Sequence, residues 1–327
     1  MACYNPRLMR VCVDPDTGAL SYFFMGSALY ADPSQFGTMD DLSTRGYYDM
    51  IIPCGKCQYC LADRAREWSN RMVLELQDYP RALFVTLTYN DEHLKYTDSG
   101  LPNLSIEDCQ LFFKRLRKHF EPRVIRYAIS GEYGPKKHRP HYHAIIYNIG
   151  MSDFASVSAV GYNERKDVYY TSPELEKIWE NGYVSFAPVS ALTCGYVARY
   201  TFKKQVNRNE DITDDRQKEF FITSRRPGIG LARAEKLMAS GMTKFTYGTP
   251  SGMVSFNLPK SAIKSLKNRK DADIDFFAEF CYNRSKQASE ALLSQLTFTG
   301  QTFYDHVIAS RAKLNKSLAL LPDRREL

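Results

Sequence analysis

Two strand-like runs joined by a turn occupy residues 123–149, RVIRYAISGEYGPKKHRPHYHAIIYNI. Both runs are rich in Ile, Tyr and Ala, and the sequence Gly-Pro-Lys-Lys at 134–137 separates them. Turn-forming residues between two β-rich runs are typical of an antiparallel hairpin. The second run carries histidines at 138, 141 and 143, although the whole chain has only 6. The segment therefore predicts a hairpin whose second strand has a chemical role.

Strand parity predicts which of these side chains share a face, because successive side chains point to opposite sides of a sheet. His141 and His143 share one face, whereas His138 has the other parity. On the first strand an apolar set alternates with a more polar set that ends at Glu132. If the apolar sets form the core, Glu132 lies beside the two histidines. Two imidazoles and a carboxylate can bind a divalent metal ion with open positions; the alternative is a solvated hairpin end.

The elements around the hairpin indicate the fold class. Hydrophobic periodicity, turn residues and a capping-box-like start at Ser105 predict a helix from 61, a strand at 81–89, a helix at 105–120, a short helix before 182, a strand at 183–187 and a helix at 190–204. This order favours an α+β fold with a central antiparallel sheet, flanking helices on one side of it, and a helical C-terminal part. We expect three parts: 1–60, 61–235 and 236–327.

The predicted helix at 190–204 contains GYVARYTFKK. Tyr196 and Tyr200 are four residues apart and Lys203 is seven from Tyr196, so all three share one helical stripe. A tyrosine with a pKa of about 10 is a weak nucleophile and needs a nearby cation or metal to stabilise its phenolate. The stripe therefore indicates a nucleophilic array, and ordinary amphipathic packing is the alternative.

Composition favours a polyanionic partner. The 327-residue chain has a net charge of +7, with 22 Tyr and 19 Phe, and aromatic side chains among Lys and Arg suit single-stranded nucleic acid. Arg199, and Arg225 and Arg226 in SRRPGIG, are candidate contacts to DNA, with a solvated basic turn as the alternative for the pair. No run of eighteen apolar residues predicts a membrane span.

A cysteine cluster precedes the core. Cys54, Cys57 and Cys60 have the spacing C-x2-C-x2-C, and with Cys3 or Cys12 they predict a four-thiolate structural zinc site. The continuation that an iron-sulfur run needs is missing. Unligated reduced thiols are the alternative.

Taken in order, the motifs FVTLTY, GEYG before His141-Tyr142-His143, and Tyr196-x-x-x-Tyr200-x-x-Lys203 resemble those of the HUH endonuclease superfamily. With IPCGKCQYC and SRRPGIG, the finer pattern over residues 50–230 resembles replication-initiation proteins of gokushovirus-type microviruses, which are single-stranded-DNA bacteriophages.

The resemblance implies a rolling-circle nickase with an HUH core at 61–235. It implies that His141, His143 and Glu132 ligate Mg²⁺ or Mn²⁺, that Tyr196 and Tyr200 are the nucleophiles, and that Lys203 assists them. One tyrosine would cut the origin and keep the 5′-phosphate, and the second would attack the regenerated junction. The implied partners are single-stranded DNA and replicative-form DNA at the origin.

The absence of a Walker A motif leads us to expect a host helicase and polymerase as further partners, and the host bacterial cytoplasm as the location. The rival hypotheses are a one-tyrosine HUH transposase, a non-catalytic zinc-containing nucleic-acid-binding protein, and a structural phage protein.

Overall fold

The computed structural model describes residues 3–17, 20–29, 44–134, 137–162, 166–206, 214–249, 252–267, 287 and 290–319. Within these ranges, the side chains of residues 20, 200–206, 264, 266, 267, 314 and 317–319 lie outside the description.

The strands are, in chain order, β1 (Arg7–Val13), β2 (Leu20–Ser27), β3 (Tyr47–Ile52), β4 (Ala82–Tyr89), β5 (Arg126–Tyr133), β6 (Pro140–Tyr147), β7 (Ser158–Tyr162), β8 (Val168–Thr171), β9 (Gly182–Pro188), β10 (Phe220–Thr223), β11 (Lys244–Thr249) and β12 (Gly252–Asn257). The helices are α1 (Gln58–Asp78), α2 (Ile106–His119), α3 (Pro173–Trp179), α4 (Ala191–Val206), α5 (Leu231–Ala239), α6 (Lys260–Lys267), α7 (290–299) and α8 (Phe303–Ala319).

The chain forms two compact units. The first contains the described residues of Met1–Asp63 and Lys267–Leu321, and the second contains Arg64–Leu266. The first unit thus combines the two ends of the chain, a grouping that the expected division into three successive parts did not include. Such a grouping depends on contacts between segments far apart in sequence, which local patterns do not report.

The first unit contains a three-stranded antiparallel sheet in the order β2-β1-β3. No strong period predicted it, because the four consecutive residues 22–25 of β2, Tyr-Phe-Phe-Met, are apolar and all exposed. A small cluster of Leu296, Phe303 and Val307, with Leu29 and Ile51 packed against it, forms a core.

The second unit is built on a seven-stranded antiparallel sheet in the order β10-β5-β6-β4-β9-β8-β7. The α+β class and the central antiparallel sheet are therefore confirmed. The hairpin is β5-β6, paired from Arg126 opposite Tyr147 to Tyr133 opposite Pro140. The helix expected at 105–120 is α2, and its N-cap Ser105 accepts a hydrogen bond from the Asp108 backbone N–H at 3.1 Å.

Helices cover both faces of this sheet, so the expectation of helices on one side was wrong. On one face, Tyr142, Ala144 and Ile146 of β6 join a core that includes α2 and α3 residues such as Phe112 and Trp179. On the other face, Tyr147 donates a hydrogen bond to the Met72 carbonyl of α1 at 3.2 Å, and Tyr196 of α4 packs on the sheet. The sheet has two buried faces, although strands 126–133 and 140–147 carry polar residues at one end.

The C-terminal part also contains strands. β11 and β12 form a hairpin within the stretch expected to be mainly helical, whereas α6, α7 and α8 agree with that expectation. The predicted helical pattern at 273–286 lies outside the described residues. In the described part of the chain, we find no helix with the length and apolar character needed to cross a bilayer.

Candidate active site

The register of three adjacent strands gathers polar side chains on one face of the sheet. On β5, Glu132 lies opposite His141 and Ser130 lies opposite His143. On β4, Thr86 is the partner of His143. Because directly paired residues point to the same side, Glu132 shares a face with both histidines. This is the juxtaposition that strand parity predicts.

His143 is fixed from both ring nitrogens. Its Nδ1 lies 3.1 Å from Oγ1 of Thr86, and its Nε2 lies 3.2 Å from Oε1 of Glu132. The residue is only 8% exposed. A hydrogen bond at one ring nitrogen fixes the orientation of the other, which is how proteins aim imidazole ligands. His143 and Glu132 therefore present a nitrogen and an oxygen to the same point.

His141 is more loosely associated with this pair. Its ring lies against Gly134, where an added Cβ would be 3.0 Å from Cε1, and it hydrogen-bonds the Arg139 carbonyl. Burial, followed by the neighbouring His143, lowers the pKa of His141 below its usual value and favours the neutral ring. The trio of His141, His143 and Glu132 does not bring all its ligand atoms within 4.8 Å of one another.

Tyr196 of α4 packs directly over this polar face. Its ring centroid lies 5.2 Å from that of His143 and 5.8 Å from that of Phe84, both in edge-to-face geometry. The guanidinium carbon of Arg199 lies 5.8 Å from the Tyr196 ring. A phenol, a cationic side chain and two candidate metal ligands therefore occupy one site.

Tyr200 and Lys203 lie further along the same helix. Both fall within α4, and Tyr200 follows Tyr196 by one turn, about 6 Å along the axis. Their side chains lie outside the described residues, so their predicted roles stay predictions.

Sequence reasoning missed two residues of this site, Thr86 and Phe84. Both belong to β4, the strand motif FVTLTY, and share its parity. Phe84 stacks beside His143 with ring centroids 6.0 Å apart. The alternation of β4 was visible in the sequence, but the pairing of β4 with β6 was not.

Four cysteines form a second candidate metal centre, within the first unit. Among the described residues, Cys3, Cys54, Cys57 and Cys60 are the one group of three or more His, Cys, Asp or Glu with ligand atoms all within 4.8 Å of each other. Four of the Sγ–Sγ distances are 3.5, 3.6, 3.8 and 3.9 Å. A tetrahedral zinc site with Zn–S bonds of about 2.3 Å requires about 3.8 Å. This cluster could therefore bind a metal such as zinc, with Cys3 as the fourth ligand.

Backbone N–H groups point at these sulfur atoms. Cys54 N–H donates to Cys3 Sγ at 3.2 Å, Cys57 N–H donates to Cys54 Sγ at 3.4 Å, and Tyr4 N–H donates to Cys57 Sγ at 3.3 Å. Burial raises the pKa of Cys54, but these and other N–H donors outweigh it and lower that pKa to about 7. Burial raises the pKa of Cys3 to about 11. Four thiols so close together favour a cation that stabilises their thiolates.

The other two candidate DNA contacts, Arg225 and Arg226, lie in an exposed turn after β10. They are not part of the site around Tyr196 as far as the described contacts extend.

Comparison with known proteins identifies the class. Residues 82–205 match the family model that describes the phage replication-associated protein ORF2. This range includes β4, the β5-β6 hairpin and most of α4, so it covers the polar face and Tyr196. No solved structure gave a significant match.

Similar whole proteins come from bacterial viruses. The chain is 30% identical over 275 residues to the replication-associated protein ORF2 of Spiroplasma virus 4, covering 81% of this chain and 82% of that one. It is 32% identical over 208 residues to the replication-associated protein VP4 of Bdellovibrio phage phiMH2K, covering 62% and 63%. The chain belongs to this family of phage replication-associated proteins, and the microvirus-type resemblance is confirmed.

Proposed function

We propose that the protein initiates phage DNA replication by nicking one strand at the origin and keeping the cut end as a phosphotyrosine. The observation that carries the proposal is the 5.2 Å separation of the Tyr196 and His143 rings on the face that holds Glu132 and His141. A nucleophile and candidate metal ligands at one point suit phosphodiester transfer. The replication-associated relatives make DNA the expected substrate.

In the proposed reaction, a tyrosine Oη attacks the scissile phosphorus. The new P–O bond forms while the bond from phosphorus to the 3′ oxygen breaks, and the phenolic proton is in balance with the 3′-hydroxyl that leaves. Arg199 beside Tyr196 favours the phenolate by charge. Because the phosphotyrosine keeps the energy of the phosphodiester, joining needs no nucleotide cofactor.

His143, Glu132 and His141 would hold a Mg²⁺ or Mn²⁺ ion. The donor set fits such an ion, because one ring nitrogen of His143 is already held by Thr86 and the other points at the Glu132 carboxylate. The bound ion would act as a Lewis acid on the phosphate oxygens. His141 would complete the set by moving from its position against Gly134.

Tyr200 would be the second nucleophile and Lys203 its cationic partner. A second tyrosine one turn along α4 could attack the regenerated origin after one circuit, while the freed 3′-hydroxyl closes the first circle. The nick leaves a 3′-hydroxyl for a host polymerase, and a host helicase would separate the strands. These steps would take place in the bacterial cytoplasm.

The four-cysteine cluster would hold a structural zinc ion. All four positions of a tetrahedral ion would be filled by thiolates, which leaves none for substrate. This site would connect Cys3 near the N-terminus to the start of α1, where Cys60 lies.

A covalent-adduct assay tests the nicking proposal. The protein is incubated with labelled single-stranded origin DNA of the phage and Mn²⁺, then boiled in detergent and separated by electrophoresis. We expect a labelled protein band that disappears in the Tyr196→Phe/Tyr200→Phe double variant. The two single variants distinguish the mechanisms, because a one-tyrosine enzyme tolerates loss of one phenol in every cutting and joining assay.

Tyr183→Phe is the matched control, because Tyr183 is an exposed tyrosine on β9 of the same sheet. It should form the adduct at the wild-type rate. An adduct that persists in the double variant would contradict the proposal.

A further inference from the structure

The turn SRRPGIG, residues 224–230, has no part in the proposed nicking reaction, although it is among the most firmly held turns of the second unit. It follows β10, and Arg225 and Gly228 form an isolated backbone bridge within it. The arginine side chains at 225 and 226 are exposed.

A buried ion pair anchors the turn. Arg126 of β5 and Glu75 of α1 pair with side chains only 7% and 3% exposed. The Nη2 group of Arg126 donates to the Pro227 carbonyl at 2.8 Å, and the Gly230 N–H donates to Glu75 at 2.6 Å. Buried, charge-assisted hydrogen bonds of this kind hold geometry strongly.

A close backbone approach adds to this anchor. The Nε of Arg71 donates to the Ile229 carbonyl at 2.8 Å. Gly230 has a φ of +70°, and a Cβ there would collide with the Arg71 backbone. The turn therefore holds the backbone of Arg225 and Arg226 at a fixed position.

Beside the turn lies a groove of about 590 Å³ lined largely by basic and hydroxyl-bearing residues. Gln110 and Arg117 of α2, Tyr127 of β5, and Ser224, Arg225 and Arg226 contribute to it. No Asp or Glu is among the lining residues. Arg126 also lines the groove, but its charge is balanced by Glu75.

The groove lies on the opposite side of β5 from the candidate active site. Tyr127 stacks on Phe113 of α2 with ring centroids 3.6 Å apart, whereas Ser130 and Glu132, of the other parity, face His143 and His141. Arg117 lies over the outer part of this aromatic stack, with its guanidinium carbon 5.3 Å from the Tyr127 ring. A ligand in the groove would thus occupy a site separate from the nicking chemistry.

We propose that this groove binds backbone phosphates of DNA at nucleotides away from the cut. Guanidinium groups bind phosphate oxygens with two parallel hydrogen bonds, and hydroxyls such as Ser224 and Thr223 commonly add to such contacts. The inference rests on the proposed function only for the identity of the polyanion as DNA. The groove would hold the origin strand while Tyr196 or Tyr200 acts on the other face of the sheet.

The test is the salt dependence of DNA binding by the full chain. Fluorescence anisotropy with a labelled oligo-dT gives the association constant over a series of KCl concentrations. Each arginine–phosphate contact that is lost should reduce the slope of log K against log salt by about 0.7 for single-stranded DNA. We therefore expect Arg225→Ala/Arg226→Ala to reduce the slope by about 1.4, and Arg117→Gln by about 0.7.

Two further variants separate the groove from general charge. Lys118→Ala/Lys177→Ala removes the same net charge from exposed positions that do not line the groove, and it should leave the slope unchanged. Arg225→Lys/Arg226→Lys retains the charge and should retain most of the slope while binding more weakly. An unchanged slope in the alanine pair, or an equal loss in the lysine control, would overturn the inference.

Adduct formation distinguishes this proposal from the nicking proposal. At saturating DNA, the Arg225→Ala/Arg226→Ala protein should form adduct at the wild-type rate, whereas Tyr196→Phe/Tyr200→Phe should keep the wild-type salt slope without forming adduct. A wild-type chain that formed no adduct but lost slope in the arginine pair would refute nicking and support the groove. A slowed adduct rate for the arginine pair at saturation would count against a role confined to binding.

Discussion

The two candidate metal centres are assembled in opposite ways. The four-cysteine cluster draws three of its ligands from one stretch of seven residues, and its sulfur atoms already lie at the separations that a tetrahedral ion needs. The face of Glu132, His141 and His143 is assembled by strand register, with His141 turned against Gly134. A closed set of thiolates suits a structural ion, and a less complete set beside Tyr196 suits an ion that must also admit substrate.

The largest effect should come from the cysteine cluster. Cys60→Ser removes a buried thiolate, and because metal binding at such sites contributes about 10 kcal/mol to folding, the first unit should fail to fold. Zinc content by mass spectrometry should fall from one ion per chain to none, and a thermal transition should be lost. Cys12→Ser, in β1 and outside the cluster, should keep both. Full zinc occupancy in Cys60→Ser would refute the structural role.

The His143 side should respond in rate, not in fold. His143→Ala removes a candidate metal ligand, and a Lewis acid is worth several kcal/mol at the transition state, so adduct formation should slow by roughly 10²–10³-fold. Zinc content should be unchanged, since His143 is outside the cysteine cluster. A rate within threefold of wild type would remove the histidine face from the mechanism.

A smaller effect should follow from releasing the His143 ring. Thr86→Val removes the hydroxyl 3.1 Å from Nδ1 at nearly constant volume, and loss of such an orienting bond weakens metal binding about 10–100-fold. Manganese titration followed by electron paramagnetic resonance measures this. Thr88→Val is the control, because Thr88 has the same parity on β4 but pairs with His141 instead. Equal losses in the two variants would contradict the orienting role of Thr86.

The smallest effect concerns Phe84, which contacts both rings of the candidate active site. Phe84→Leu keeps an apolar side chain but loses two aromatic contacts, each worth about 1 kcal/mol. We expect adduct formation to slow about fivefold to tenfold while manganese affinity stays near wild type. The ratio of these two measurements would show whether Phe84 positions Tyr196 or the metal ligands, and a loss in manganese affinity alone would exclude the former.

Much of the catalytic face could be predicted from the sequence because it depends on local periods. Strand parity was enough to predict that Glu132 shares a face with His141 and His143, and helical spacing predicted that Tyr196 and Tyr200 share a stripe. The orienting role of Thr86 could not be predicted in this way. It depends on β4 pairing with β6, two strands separated by more than fifty residues of chain.

The parts that were missed also have physical reasons. The sheet of β1, β2 and β3 has exposed aromatic residues on consecutive positions, so it lacks the alternation that marks a half-buried strand. Helices on both faces of the large sheet were missed because α1 precedes the strands in sequence and its contacts to Arg126 and Tyr147 are long-range. The choice of Cys3 over Cys12 likewise needed the fold of the N-terminal segment.

The most direct test of the nicking site is the position of the covalent link. The adduct formed with single-stranded origin DNA and Mn²⁺ can be digested with nuclease and protease, and the peptide that retains a nucleotide can be sequenced by mass spectrometry. We predict a 5′-phosphate ester on Tyr196 or Tyr200, within the α4 peptide that follows Ser190. A link to any tyrosine outside α4, or a nicked product with no protein attached, would contradict the assignment.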